Sequence, residues 1–251
     1  MIPGIPSSAF GDDVIIPHMH SFSVIIPALN ESSIINHTVE HVYRAGSGFD
    51  LEVIVVDGDP EGGTSRCINS KQAIKLISPK GRGQQLNKGA SVARGDILLF
   101  LHTDTELPED AFRTISTSIN KDQCVGGAFD LGIKSERFVF RLIEKMVYLR
   151  TRLTNIPYGD QAIFIKRDFF EKMNGFREIP IMEDVELMRR IKKSGYKICI
   201  IPRKVKTSPR RWEKEGIFSC TLRNWMLISL YLLGVHPEKL ARFYYRDWGV
   251  H

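Results

Sequence analysis

Three short apolar runs constrain the fold of this 251-residue chain more than any other feature, because each runs straight into polar acceptors. Residues 22–27 (FSVIIP) precede Asn30 and Glu31, residues 51–57 (LEVIVVD) end on Asp57, and residues 97–102 (ILLFLH) precede Thr103 and Asp104. Runs of this length, rich in β-branched residues and with no polar alternation, read as strands buried on both faces. Residues 75–78 (KLIS) form a weaker run of the same kind. Helical spacing fills the gaps. Ile34, Ile35, Val39, Val42 and Tyr43 mark a helix over 30–44, with Asn30 or Ser32 as N-cap and Gly46 as stop. Residues 84–94 read as a second helix ended by Gly95, and Pro108 as the start of a third with Glu109 and Asp110 in its first turn. Strands alternating with helices predict βαβ units: an α/β fold with a mostly parallel central sheet covered by helices on both faces. Ligands bind such sheets at the carboxyl ends of the strands, where these acceptors lie.

The second half has a different pattern. Residues 126–131 and 161–165 read as strands, and 197–202 as another. Residues 136–153 read as a long amphipathic helix with Phe138, Leu142, Met146, Leu149 and Leu153 on one stripe. Residues 183–194 read as a helix that opens on two carboxylates and stops at Gly195. The rest, 216–247, reads as mainly helical.

Charge separates partner classes. The 25 basic and 25 acidic side chains of residues 1–200 balance, whereas 201–251 hold 10 and 4, so the whole net charge of +6 lies in the tail. That distribution excludes a uniformly basic nucleic-acid binder and suits a local anionic partner, phosphate or a membrane surface. The longest apolar stretch, 225–235, is shorter than the roughly 20 residues of a membrane span. A helix within 216–247 lying on a membrane is compatible with it, as is a helical cap over an acceptor site. The helix at 136–153 and the tail are candidate homo-oligomer interfaces. Residues 1–21 lack the basic start and continuous apolar stretch of a signal peptide and read as a loose leader. Cys67, Cys124, Cys199 and Cys220 have neither zinc-site nor disulfide-framework spacing, which suits reduced thiols in a cytoplasmic protein, free or at the inner membrane surface.

Several short segments carry candidate chemistry. Asp104, directly after a buried strand, can hold a divalent cation that also grips a diphosphate, since hard cations take oxygen ligands. Asp57, at a strand end, can accept hydrogen bonds from a base or ribose. Gly81-Arg82-Gly83 lets backbone and guanidinium approach phosphate. Asp184, beside Glu183 at a helix start, can take a proton from an acceptor hydroxyl. Arg210 and Arg211 suit diphosphate oxygens, and Trp212 offers a stacking face. Each has an ordinary structural reading as well: a turn residue, a flexible basic loop or a helix-dipole complement. No Walker loop, GxSxG elbow or HExxH pattern occurs.

Six segments in order resemble glycosyltransferase family 2 with the GT-A fold: SVIIPALNE (23–31), VIVVDG (53–58), GRGQQLNKGASVARGDILLFLHTDT (81–105), YGDQAIFIKRDFFEKMNGF (158–176), MEDVELMRRIKKSGY (182–196) and RRW (210–212). HTDT stands where most relatives carry DxD, with His102 in place of the first carboxylate, which resembles a small subgroup. The resemblance implies a Rossmann-like GT-A domain over 22–213, with a nucleotide-binding half (22–105), an acceptor half (106–213) and a helical extension (214–251). It implies nucleotide-sugar contacts by Ala28, Asn30, Glu31, Asp57, Arg82, His102, Thr103, Arg210, Arg211 and Trp212, a Mg²⁺ or Mn²⁺ ion on Asp104, and Asp184 as the general base with the catalytic carboxylate Glu183 beside it. The implied reaction is inverting transfer of a sugar from a nucleotide diphosphate to an acceptor hydroxyl of unknown identity. The competing readings are a sugar-phosphate nucleotidylyltransferase, and a non-catalytic membrane- or partner-binding protein on the same fold.

Overall fold

The computed structural model describes residues 20–248, with side chains up to Tyr244; all but the last two residues of the expected leader lie outside them. The first apolar runs are strands β1 (Phe22–Ala28), β2 (Leu51–Asp57), β3 (Ile74–Ile77) and β4 (Ile97–Phe100). They pair in parallel in the order β3-β2-β1-β4. Helices α1 (Ile35–Ala45), α2 (Gly63–Arg66) and α3 (Arg82–Ala90) connect them. From β1 the chain moves outward through β2 to β3, then returns to the other side of β1 as β4. That reversal opens a crevice between the loops after β1 and β4.

The sheet continues through a two-residue strand β5 (Thr105–Glu106), then β6 (Gly126–Ile133), β7 (Phe164–Lys166) and β8 (Ile198–Thr207), giving eight strands in the order β3-β2-β1-β4-β7-β6-β8-β5. β7 is antiparallel to both β4 and β6, and β5 to β8, so the parallel pattern covers the first half and the second half is mixed. Helices α4 (Ala111–Asp122), α5 (Phe138–Thr154), α6 (Arg167–Lys172) and α7 (Glu183–Lys193) flank this half. Three more, α8 (Arg210–Glu215), α9 (Ile217–Leu232) and α10 (Pro237–Trp248), follow β8.

Strand pleating splits the core into two layers. Val24, Ile26 and Ala28 point to the side of Ile35, Val39, Val42 and Phe112, whereas Ile25, Ile54 and Val56 meet Leu86, Phe170, Phe176 and Leu187 on the other. At Gly127 the strands approach so closely that a β-carbon would overlap the Cys199 carbonyl oxygen of β8. Because that neighbour is backbone and cannot rotate away, Gly127→Ala is expected to destabilise the fold by about 3 kcal/mol or more. Chemical denaturation checks this, and an unchanged midpoint would contradict it.

Several local expectations are corrected. α1 begins at Ile35, after Ile34, with no side-chain cap; Asn30 instead takes a left-handed conformation (φ 57°) in the loop before it. α4 begins at Ala111, so Glu109 and Asp110 precede its first turn. Residues 159–161 form a 3-10 turn, and the strand expected there starts at Phe164. The apolar stripe of α5 faces solvent, because the opposite side, with Phe140, Ile143, Glu144 and Thr151, is the buried one. Glu144 is tolerated there because it accepts the Ile133 N–H at 2.7 Å and pairs with Lys204 at 2.7 Å. Cys67 is exposed; the other three cysteines are buried and all four are free thiols.

Candidate active site

The parallel strands deliver their terminal loops to one edge. Ala28, the last residue of β1, is buried, and its carbonyl accepts the Gly58 N–H at 2.8 Å and the Gln85 Nε2 at 2.9 Å. Gln85 also donates to the Val56 carbonyl at 2.8 Å, so one buried amide ties the ends of β1 and β2 to α3. No sequence pattern singled out Gln85; it sits in a run that reads only as a polar helix.

Asp57 is fully buried, and both of its oxygens serve the loop after β2. Oδ1 accepts the Asp59 N–H at 3.1 Å and Oδ2 accepts the Ser65 N–H at 2.8 Å. In this arrangement Asp57 shapes the loop and presents no free surface to a base. Thr103 is likewise buried, and its carbonyl accepts the hydroxyl of Thr38 on α1.

Asp104 and Glu31, from the loops after β4 and β1, are joined by a cation. Arg210 at the start of α8 reaches Glu31 Oε1 at 2.6 Å and lies 3.6 Å from Asp104 Oδ2. These carboxylates hold the Arg210 pKa above its ordinary value, with the hydrogen bond to Glu31 the largest cause. The second oxygen of Asp104 faces the hydroxyls of Thr207 and Thr105 at 3.4 and 3.5 Å. The expected contributors Glu31, Asp104 and Arg210 therefore meet across the crevice.

His102 and Asp184 meet at a second point. Both border Gly159: a β-carbon there would lie 3.0 Å from Asp184 Oδ2 and 3.2 Å from His102 Nε2. Asp184 is positioned by the start of α7. Its Oδ2 accepts the Gly159 N–H at 2.5 Å and its Oδ1 accepts the Val185 N–H at 2.7 Å. His102, Gly159, Glu183, Asp184 and Arg82 line one hollow of about 10 Å³, room for about one water. Burial, then the cations Arg82 and Arg211, hold the His102 pKa well below the usual imidazole value. His102 is therefore neutral and able to accept a hydrogen bond at neutral pH.

Glu183 is buried beside it, with Oε1 unpartnered by any hydrogen bond and 3.6 Å from Arg82 Nε. Burial pushes its pKa up to about 7; Asp184 adds to the rise and Arg82 opposes it. Asp160 is a further acid that sequence reasoning missed. Its Oδ1 is buried without a partner, and burial raises its pKa. Gln161, also missed, is fully buried: it donates to the Phe129 carbonyl at 2.9 Å and accepts from Arg150 at 2.7 Å. Residues 158–161 carry no apolar period; the signal that marks them in the sequence is the resembling segment that opens at Tyr158.

Arg211 pairs with Glu215 at 3.3 Å and lies over the Tyr244 ring. Trp212 is partly buried: it makes an edge-to-face contact with Phe140, ring centroids 5.9 Å apart, in a cluster with Ile133 and Ile143 that packs α8 on α5.

For a divalent cation, the donors are of the right kind but few. Among the described residues no cluster of three His, Cys, Asp or Glu side chains could hold a metal by itself. Asp104 fits as a single hard-oxygen ligand, one that needs oxygens from a bound diphosphate and water to complete a shell.

Comparison with known proteins agrees with this architecture. The description Glycosyl transferase family 2 matches residues 23–179, ending short of Glu183. A probable glycosyltransferase of Bacillus subtilis, YdaM, is 25% identical over 224 residues, covering 77% of this chain and 50% of that protein. A PGL/p-HBAD biosynthesis glycosyltransferase of Mycobacterium bovis is 27% identical over 173 residues, 59% of this chain and 60% of its own length. The chain thus spans about half the length of the first of these and under two thirds of the second. Among solved structures, the mannosyltransferase PcManGT of Pyrobaculum calidifontis, in complex with GDP-Man and Mn²⁺, superposes with a TM-score of 0.59 at 21% identity, covering 75% of this chain and 57% of that one. That likeness establishes the shared fold. With more than half of its length matched, the chain belongs to glycosyl transferase family 2.

Proposed function

We propose that this chain transfers a sugar from a nucleoside-diphosphate donor to an acceptor hydroxyl, with inversion at the transferred carbon. The observation that carries the reading is the meeting of Asp184 with neutral His102 at one hollow, at the strand ends that also hold Asp104. Family membership and the GDP-Man held by the structural neighbour support a nucleotide-sugar donor. In this reading the 22–105 half holds the donor, the 106–213 half presents the acceptor, and 214–251 extends the second half.

The chain's own groups divide the work. Asp184, held by two backbone amides, accepts the proton of the acceptor hydroxyl as that oxygen attacks. His102, neutral, orients that hydroxyl by donating its one ring N–H to the hydroxyl oxygen, which leaves the hydroxyl proton to Asp184. Arg82, half exposed, and Arg210 face the leaving diphosphate. A Mg²⁺ or Mn²⁺ ion held by Asp104 would supply charge neutralisation of that diphosphate.

The test is product analysis with a panel of nucleotide sugars. Release of nucleoside diphosphate supports glycosyl transfer, and release of pyrophosphate overturns it in favour of nucleotidyl transfer. The metal component has its own test. Asp104→Ala is expected to weaken nucleoside-diphosphate binding in the presence of Mn²⁺ by about 10–100-fold. Binding measured with a chelator separates the lost metal ligand from the lost anchor of Arg210. Equal titration curves for variant and native protein with Mn²⁺ would remove Asp104 as a metal ligand.

A further inference from the structure

We propose that α5 and α9 together form a docking face for an anionic lipid bilayer. The starting observation is α9. Between residues 217 and 235 the only charged side chain is Arg223, which is buried and paired with Glu215. The side of α9 that faces water instead carries Phe218 (82% exposed), Leu222 (72%), Trp225, Leu232 and Leu233. Spacings of four, three and seven residues place the first four in one row, and Leu233 adjoins its end at the C-cap of α9. Helix α5 carries a second row: Phe138 (82%), Leu142, Met146, Leu149 and Leu153 (75%). A soluble helix normally turns such a row inward, and a surface this apolar marks an interaction site.

The rows start beside one another. Arg137, next to Phe138, and Phe218 border one groove of about 290 Å³, with Trp212 and Ile217 also lining it. The Trp212–Phe140 contact fixes α8 against α5 there.

Charge identifies the occupant. Around the rows the exposed cations are Arg137, Arg141, Lys145, Lys214, Lys239 and Arg242, against the exposed acids Glu136, Glu213 and Glu238. Within residues 201–251, Lys214 precedes α9 and Lys239 and Arg242 follow it on α10, so exposed cations adjoin the α9 row at both ends in the sequence, as Arg137, Arg141 and Lys145 do on α5. Apolar side chains ringed by Lys and Arg, with a Trp among them, have the composition of a helix face lying in a membrane interface. A second copy of the chain fits worse. A twofold contact would set one patch against itself and bring the same cations of both copies together. No helix among the described residues is long and apolar enough to cross a membrane, so the contact is one of lying on the surface.

The test uses the full chain and vesicle flotation. Vesicles of phosphatidylcholine with phosphatidylglycerol are expected to carry the protein, and vesicles of phosphatidylcholine alone to carry far less. Raised salt should weaken the first. Phe218→Glu with Leu222→Glu, and separately Phe138→Glu with Leu149→Glu, should each reduce binding by about tenfold or more. These positions are exposed, so melting temperature and the thermal response to nucleoside diphosphate should stay at native values. A second variant, Lys145→Glu with Lys214→Glu, leaves the apolar rows intact and should lose binding to the anionic vesicles selectively. Absence of native binding to anionic vesicles overturns the proposal, as does binding that both apolar variants retain in full. A vesicle-independent dimer in light scattering that the same substitutions dissociate assigns the face to a second copy and also overturns it. Flotation requires no turnover, so its outcome is separate from that of the proposed reaction.

Discussion

Asp184→Asn is expected to lower turnover by about 10²–10⁴-fold while leaving donor binding nearly intact. The geometry explains why both halves of that result belong together. Asp184 is held at both oxygens by backbone N–H groups, from Gly159 and Val185, so its position is set by the fold and not by substrate. Asparagine keeps one acceptor oxygen and nearly the same shape, so the start of α7 retains one of the two bonds. What it loses is the ability to take a proton, because an amide is not a base at neutral pH. The groups assigned to the diphosphate, Arg82 and Arg210, lie on other elements and are untouched. Single-turnover transfer assays read the rate, and titration with nucleoside diphosphate reads the binding. Native turnover in the variant would remove Asp184 as the base. A variant that fails to bind nucleoside diphosphate would mean that the carboxylate organises the crevice and is not confined to proton transfer.

The same residues show what the sequence could and could not convey. The strand Leu51–Asp57 is visible at its full length, because a run of β-branched residues closed by a carboxylate has few other uses in a parallel sheet. Asp57, Asp104 and Glu31 are placed at strand ends for the same reason. Which way such an end residue points is a tertiary matter. Asp57 turns inward to the amides of its own loop, whereas Asp104 meets Arg210 from more than a hundred residues away. The α5 stripe shows the same limit. A period of 3.6 separates two faces of a helix but does not say which one meets the protein. Here a buried Glu144, satisfied by Ile133 and Lys204, reverses the ordinary assignment. Gln85 and Gln161 left no trace in the apolar pattern, since a buried amide, whether it bridges two backbone carbonyls as Gln85 does or links the Phe129 carbonyl to Arg150 as Gln161 does, looks in sequence like any polar helix or turn residue.

The stability of the protein should depend on pH through Glu183, and Glu183→Gln should remove that dependence. The folded-state pKa is about 7, against an ordinary value of 4.5, because burial strips water from the carboxylate and Asp184 adds a like charge. Below about pH 4.5 the group is protonated in both the folded and the unfolded chain, and its contribution is fully present. Between 4.5 and 7 the unfolded chain releases the proton while the folded one retains it, so stability falls as pH rises. Above about pH 7 both forms are ionised and the loss levels off, at up to about 3 kcal/mol. A glutamine has no proton to release. Melting curves of Glu183→Gln and the native chain should therefore converge near pH 4 and separate by several degrees at pH 8, with the variant the more stable. Parallel curves across that range would show that Glu183 does not carry the shift. Arg82 acts on the same carboxylate in the opposite direction. Its guanidinium, 3.6 Å from Glu183 Oε1, draws the pKa down, so Arg82→Ala should raise it further and carry the decline in stability to higher pH. A loss of stability in Arg82→Ala that is independent of pH would instead place the effect of Arg82 in packing, not in the charge it sets against Glu183.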